Sequence, residues 1–399
     1  MFLSVLIPTR NRARYLRFAV QSALNINSDE IEILVSENHS HDNSATILSE
    51  FSDPRLHVYI PQIPLAMHEN WEFLLSKAKG EWVYFLGDDD AMMPHAVEHL
   101  RKVVARHPRV EAIVSPRAYY FWDGLEADYG GSQLKCNFSD KEVWRDSKKM
   151  LYRCLDGSID YFALPQIYSG GFQRNTLINR IKRAQGGSYF KSVTPDAYSA
   201  LVGVLHTFRY LEIGVPLAWI GTSPSLQSKH KGGLKPHELK DRNKDFYGMH
   251  SDKKLRLNFA LGEFNNFTFT TCFYEAYTSA APHINYDLLS QRILKKVFYD
   301  FCHKKSLQND SAAIEELSLE LGFPVPSVLS FDYNIFRLKG IFLFFVYNFQ
   351  KIFILVLRQF GIVQKYSYKA SAETVFENIL AFDVYLSKMY SEFSQIDRS

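Results

Sequence analysis

The N-terminal part of the chain repeats one pattern: a short apolar run, a polar loop, then apolar positions at helical spacing. Ser4 to Ile7 is an apolar run closed by Pro8-Thr9-Arg10-Asn11, after which Tyr15, Phe18, Ala19, Ser22 and Ala23 recur with the period of a helix. Ile31 to Val35 predicts a second strand, the polar stretch Ser36 to Ser44 a loop, and Ala45 to Phe51 a helix. Leu56 to Ile60 and Trp82 to Leu86 predict the third and fourth strands, with a helix over Asn70 to Ala78 between them. A helix over Ala96 to Arg106 and a strand over Ala112 to Ser115 follow. Strands alternating with helices imply an α/β fold with a parallel, doubly wound sheet, whose ligands bind at the carboxyl ends of the strands. The polar clusters all fall at those ends.

From Tyr119 to Ser192 the pattern is irregular and aromatic, punctuated by Gly130-Gly131, Gly170-Gly171 and Gly186-Gly187, so acceptor-side loops are expected there. Pro195 to Tyr210 predicts a helix, Ala218-Trp219-Ile220 a strand, and Gln227 to Asn243 a basic, glycine-containing loop. No internal repeat is visible. The expected organisation is an α/β domain over 1–225, a basic loop over 226–250, and a mostly helical region over 251–399.

Composition narrows this picture. At 399 residues and 46% hydrophobic, the chain buries a large core. The net charge of +3 is the small difference between 46 basic and 43 acidic side chains, which argues against nucleic acid as a partner. Cys136, Cys154, Cys272 and Cys302 lie far apart with no C-x-x-C pair, so reduced structural thiols are expected and neither a zinc site nor a disulfide framework. Met1 to Ile7 lacks the basic start and cleavage site of a signal peptide, so it reads as the first strand of a cytoplasmic protein.

The chemistry concentrates at Asp88-Asp89-Asp90, three carboxylates directly after an apolar strand. Such a triplet is either a solvated turn or a seat for a hard divalent cation, Mn²⁺ or Mg²⁺, which takes one or two carboxylates and otherwise binds water and phosphate oxygens. A cation there would neutralise a departing diphosphate.

Three segments in order, Ser4 to Arg12, Ile33 to Ser44 and Ala78 to Asp90, resemble the family 2 glycosyltransferases of GT-A fold, of the bacterial surface-polysaccharide type. The resemblance covers about the first 120 residues. It implies an inverting, metal-dependent transfer of sugar from a nucleoside-diphosphate sugar, most commonly a UDP-sugar, to a hydroxyl of a glycan or lipid-linked glycan. Carried over by position, Pro8, Thr9 and Arg10 line the nucleotide pocket, Glu37 accepts from the base, Asp88 contacts the ribose, Asp89 stands with it in the D-x-D segment among the cofactor-binding residues, and Asp90 holds the metal. Glu37 stands where the family usually has Asp, and Gly87 where many members have another acid.

Inverting transfer needs a carboxylate that takes the proton of the attacking hydroxyl. The resemblance puts that base at a helix start after the second half of the sheet, where Asp196 follows Pro195; the plainer reading of Asp196 is a first-turn acid favoured by the helix dipole. Asp160 and Glu212 are the reserves. In the basic loop, His230 is either a phosphate contact in a closing lid or part of an ordinary solvated loop.

Between Arg337 and Arg358, two apolar runs too short to span a bilayer read either as a helix lying in the membrane interface or as a core helix. The interfacial reading would suit a lipid-linked acceptor and a peripheral location on the cytoplasmic face of the inner membrane. The rivals are a sugar nucleotidyltransferase, which requires a glycine-rich loop that Pro8 to Arg12 lacks, and a non-catalytic membrane-associated protein with a degenerate GT-A fold.

Overall fold

The structure, a computed structural model, describes residues 1–122, 134–135, 139–155, 159–192 and 194–223. The expected basic loop with His230, the helical region over 251–399 and the apolar runs between Arg337 and Arg358 lie outside the described residues. Among the described residues, no helix is long and apolar enough to cross a membrane.

The first half follows the alternation of the sequence: β1 (Leu3–Thr9), α1 (Ala13–Leu24), β2 (Ile31–Glu37), α2 (Ser44–Ser49), β3 (Leu56–Tyr59), α3 (Met67–Leu75), β4 (Trp82–Phe85), β5 (Ala91–Met92) and α4 (Ala96–Arg106). The second half holds β6 (Ala112–Val114), β7 (Ala118–Phe121), β8 (Leu134–Lys135), β9 (Glu142–Asp146), α5 (Ser147–Leu155) and the short 3₁₀ helix η1 (Tyr161–Ala163). It continues through β10 (Gly171–Arg174), α6 (Asn175–Ala184), α7 (Pro195–His206), β11 (Arg209–Ile213) and β12 (Ala218–Thr222).

Eight strands form one sheet in the order β3-β2-β1-β4-β10-β6-β11-β9, and β5-β12-β7-β8 form a second, smaller sheet. The β3-β2-β1-β4 portion is all parallel. Around β1, β2 and β4 the larger sheet is packed on both faces, which is why these strands read as near-continuous apolar runs. Leu3, Val5 and Ile7 point to one face, where α1 and α4 supply Leu16, Val20, Val97 and Leu100. Leu6, Val83 and Phe85 point to the other, where α3, α6 and α7 supply Trp71, Leu74, Ile178 and Leu201. The result is a three-layer α/β/α arrangement around a largely parallel sheet, the α/β class expected.

The irregular reading of Tyr119 to Ser192 is corrected by three strands and two α-helices lying wholly within that stretch, besides β7, which runs up to Phe121. The most consequential is β10, which enters the centre of the sheet antiparallel to both β4 and β6. Gly-Phe-Gln-Arg carries only one large apolar side chain, so no period marks it as a strand. Its interior position is allowed because Gln173, fully buried, accepts from the Tyr189 hydroxyl (2.8 Å) and donates to the Pro165 carbonyl (2.7 Å). α7 ends four residues earlier than the periodicity suggests, since Tyr210 enters β11. The glycine pair after α6 acts as expected: Gly186 and Gly187 adopt φ of 74° and 110°, the left-handed region that ends helices.

Candidate active site

β2 and β3 lie on one side of β1, and β4 lies on the other. The chain therefore reverses its winding direction between β1 and β4, and a crevice opens beyond the carboxyl ends of these two strands. The side chains at that crevice come from the loops after β1, β2 and β4.

The first two loops are knitted together. Thr9 and Glu37 are the last paired residues of β1 and β2. Asn38 N–H donates to the Thr9 carbonyl (3.1 Å), Asn11 N–H to Ser40 Oγ (3.0 Å), His41 N–H to Asn11 Oδ1 (2.7 Å) and Ala13 N–H to Asp42 Oδ2 (2.9 Å). Asn11 sits at φ 56°, a left-handed conformation that asparagine tolerates better than most residues. Glu37 is buried and accepts the Ser40 N–H at 2.7 Å, closing its own loop into a tight turn. Pro8 and Arg10 are half-buried at the same rim.

The acidic triplet faces this rim, and its three carboxylates have different surroundings. Asp88 accepts from the Thr9 hydroxyl (2.9 Å) and from Arg12 Nε (3.1 Å). Asp89 accepts from Arg12 Nη2 (2.7 Å), which also donates to Ser223 Oγ (2.8 Å). Asp90 is fully buried, and its carboxylate accepts backbone N–H groups from Gly87 (3.0 Å) and Gly221 (2.6 Å) together with the Tyr168 hydroxyl. Two carboxylates thus converge on one guanidinium, whereas the third braces the turn from inside.

Electrostatics follow from this packing. Burial pushes Asp88 up to about 6 against the pull of Arg12, and raises Asp89 and Asp90 above the usual carboxylate range. For Asp90 the neighbouring Asp89 charge adds to the effect. Burial alone would lower the pKa of Arg12, but the two facing carboxylates hold it above its ordinary value. The guanidinium also lies 4.6 Å from the Tyr15 ring centre.

The second sheet packs directly against the triplet. Trp122 Nε1 donates to the Asp89 carbonyl (2.9 Å), and Gly221 packs so closely on that carbonyl that no Cβ fits between them. β5 directly follows Asp90 and pairs antiparallel with β12.

Asp196 stands in the first turn of α7, half-buried, with Tyr161 donating to its Oδ2 at 2.6 Å. Burial raises its pKa, opposed by the Tyr161 hydroxyl and by the N–H groups of Ala197 and of Asp196 itself. Tyr168 connects the two regions: its hydroxyl bonds to Asp90, and its half-buried side chain feels the charges of both Asp90 and Asp196.

The residues expected from the sequence thus gather at one crevice for Pro8, Thr9, Arg10, Glu37 and Asp88 to Asp90, with Asp196 joined through Tyr168. His230 lies outside the described residues. The reserve acids have other partners: Asp160 caps η1 by accepting the Phe162 N–H (2.8 Å), and Glu212 is clamped by Arg145 (2.8 and 2.9 Å). Arg12, Tyr161, Tyr168, Trp122 and Ser223 were not singled out from the sequence. Arg12 stands within the first motif, but its partner carboxylates lie 76 and 77 residues away, and no local pattern announces that.

A doubly wound sheet with a carboxylate cluster at the switch point is the arrangement of an α/β domain that binds its ligand beyond the carboxyl ends of the strands. Residues 4–157 match the family model described as glycosyl transferase family 2. A Campylobacter jejuni protein named GalNAc(5)-diNAcBac-PP-undecaprenol β-1,3-glucosyltransferase is 33% identical over 101 residues, 25% of this chain and 33% of that protein. An uncharacterized glycosyltransferase of Rickettsia typhi is 30% identical over 112 residues, 28% of this chain and 35% of its own length. The chain spans about a third of the length of these curated relatives. Among solved structures, S. aureus TarS 1-349 in complex with UDP-GlcNAc is similar with a TM-score of 0.46 and 13% identity, covering 81% of this chain and 93% of that one.

Proposed function

We propose that the chain is an inverting glycosyltransferase that moves a sugar from a nucleoside-diphosphate sugar, a UDP-sugar first among them, to a hydroxyl of a glycan or lipid-linked glycan. The observation that carries this reading is the convergence of Asp88 and Asp89 on a single cationic group at the β1–β4 crevice of a family 2 domain. Pro8, Thr9, Arg10 and Glu37 line the nucleoside side of that crevice. The C. jejuni relative is named for an undecaprenyl-diphosphate-linked glycan, which favours a lipid-linked acceptor in surface polysaccharide synthesis and a peripheral position at the cytoplasmic face of a membrane.

The donor set suits a divalent cation. Among the described residues no three His, Cys, Asp or Glu side chains cluster into a full metal cage. Mg²⁺ and Mn²⁺ do not need one, because substrate phosphates and water complete their shell. Asp88 and Asp89 present their oxygens at the rim, and we assign the cation to this pair, where it would take over oxygens that Arg12 now pairs. Asp90, the ligand expected by position, has its carboxylate tied by two backbone N–H groups, and its role in this reading is to hold the turn. Bound there, the ion would supply charge neutralisation for the departing diphosphate.

The protein's own residues then do the following. The crevice orients the anomeric carbon. Asp196 accepts the proton of the acceptor hydroxyl as its oxygen bonds to that carbon, and the bond to the diphosphate oxygen breaks on the opposite face. Burial keeps Asp196 basic enough for the task.

A thermal-shift screen of the full chain with UDP, UDP-sugars and GDP-sugars, with and without Mn²⁺, tests the reading. A ligand at 100 times its Kd stabilises by about 2.7 kcal/mol, a shift of several degrees. Stabilisation by a nucleoside diphosphate that grows with Mn²⁺ is expected. Absence of any such effect removes the transferase assignment, and stabilisation only by a nucleoside triphosphate with a sugar phosphate favours a nucleotidyltransferase.

A further inference from the structure

Asp196 is not held by its own helix alone. The Tyr161 hydroxyl donates to its Oδ2 at 2.6 Å, and Tyr161 is itself fixed on several sides. Asp160 caps η1 by accepting the Phe162 N–H at 2.8 Å, which pins the turn that carries Tyr161. The Phe162 ring stacks on the Tyr161 ring at 4.2 Å between centres. Arg117, from the segment between β6 and β7, closes the assembly: it lies 4.0 Å from the Phe162 ring centre and donates to Asp160 Oδ2 at 3.3 Å. Tyr161 is only 8% exposed, so its hydroxyl has little water to turn to if the bond to Asp196 is lost.

We infer that Tyr161 is the positioning residue of Asp196, the η1 turn and Arg117 holding its hydroxyl so that one carboxylate oxygen is fixed and the carboxylate plane is set toward the crevice. This rests on the reading of Asp196 as the base. A base must lie within hydrogen-bond reach of the proton it abstracts, and a carboxylate free to rotate spends much of its time misdirected. An aromatic hydroxyl on a clamped ring suits the task, since phenol has few rotatable bonds and donates strongly to an ionised acid.

The same bond sets how readily the carboxylate ionises. The groups that face Asp196 are the Tyr161 hydroxyl from η1, the N–H groups of Ala197 and Asp196 from α7, and, as a neighbour through space, the Tyr168 phenol from the segment before β10. Removing the Tyr161 hydroxyl leaves the burial and takes away the side-chain donor to the charged form.

Carbon-13 NMR of the full chain labelled at aspartate Cγ reads this without substrate, the Asp196 resonance being identified by its loss in Asp196→Asn. In Tyr161→Phe, which keeps the ring and its stack on Phe162, the titration midpoint of Asp196 rises by about one pH unit. In Asp160→Ala, which keeps the hydroxyl but loosens η1, it rises by less. Should Tyr161→Phe fail to fold, the Asp160→Ala shift decides. A midpoint unmoved in every variant that folds, or moved down, overturns the inference. Failure of the base itself is seen separately: Asp196→Asn that still releases UDP from UDP-N-acetylglucosamine at the wild-type rate removes both readings, whereas an inactive Asp196→Asn with an unmoved midpoint removes only the role of Tyr161.

Discussion

The two halves of the domain solve different problems with different materials. From Leu3 to Phe85 the chain builds parallel strands with apolar faces on both sides, and its functional groups sit on strand-end loops tied to one another by backbone hydrogen bonds. From Ala112 to Ser223 it builds a mixed sheet in which a short antiparallel strand, buried glutamine and stacked aromatics carry the structure. In the proposed reading the rim of the first half holds the nucleotide, and the tyrosine, tryptophan and arginine side chains of the second half face the acceptor.

If the halves divide the work this way, variants should separate binding from turnover. Asp196→Asn, in the second half, should lower turnover by roughly 10²- to 10⁴-fold while UDP affinity stays unchanged, as read by steady-state kinetics beside calorimetry. Loss of donor affinity in this variant would break the division. Arg12→Leu, in the first half, leaves two buried carboxylates facing each other without their cation and should cost about 3–5 kcal/mol of stability in urea unfolding. Mn²⁺ with UDP should restore part of that loss, and no recovery would count against a cation on Asp88 and Asp89.

Gly221→Ala tests the joint between the halves. The added methyl has no room against the Asp89 carbonyl, so the second sheet must move off the triplet at a cost of about 3 kcal/mol. Donor affinity should fall with it, although Gly221 belongs to the second half. A variant with native stability and affinity would show that the two sheets are not mechanically coupled here.

The smallest effect is expected at His95, whose Nε2–H donates to the Pro216 carbonyl (2.9 Å) and joins the start of α4 to the turn before β12. Burial lowers its pKa to about 4, so the folded protein prefers the neutral ring. A base with a depressed folded pKa gives stability that is present above its unfolded value of about 6.5 and lost as pH falls toward 4. Between pH 7 and pH 5 this amounts to up to about 2 kcal/mol. His95→Gln should flatten that part of the pH dependence in urea titrations, and an unchanged slope would assign the acid sensitivity elsewhere.

The same contrast explains what the sequence made readable. β1, β2 and β4 announce themselves because both faces are buried, so apolar runs are uninterrupted and the polar loops that end them stand out. α4 was legible to the residue because its apolar stripe and polar face both persist over the whole helix. β10 was not legible, since its interior place depends on Tyr189 and Pro165 satisfying Gln173 rather than on any period. Within the candidate site, the acid triplet stood out from local context, whereas Glu37 and Asp196 were expected from the family resemblance. The partners that give them their character could not: Ser223 reaches Arg12 across 211 residues of chain, and Gly221 reaches Asp90 across 131.

The most direct test of the account is calorimetric titration of UDP into the full chain with and without Mn²⁺, repeated on Asp89→Asn. The account predicts binding that Mn²⁺ tightens at least tenfold in the wild type, and loss of that gain in the variant. UDP binding that is absent under both conditions, or equal with and without the metal, would contradict it.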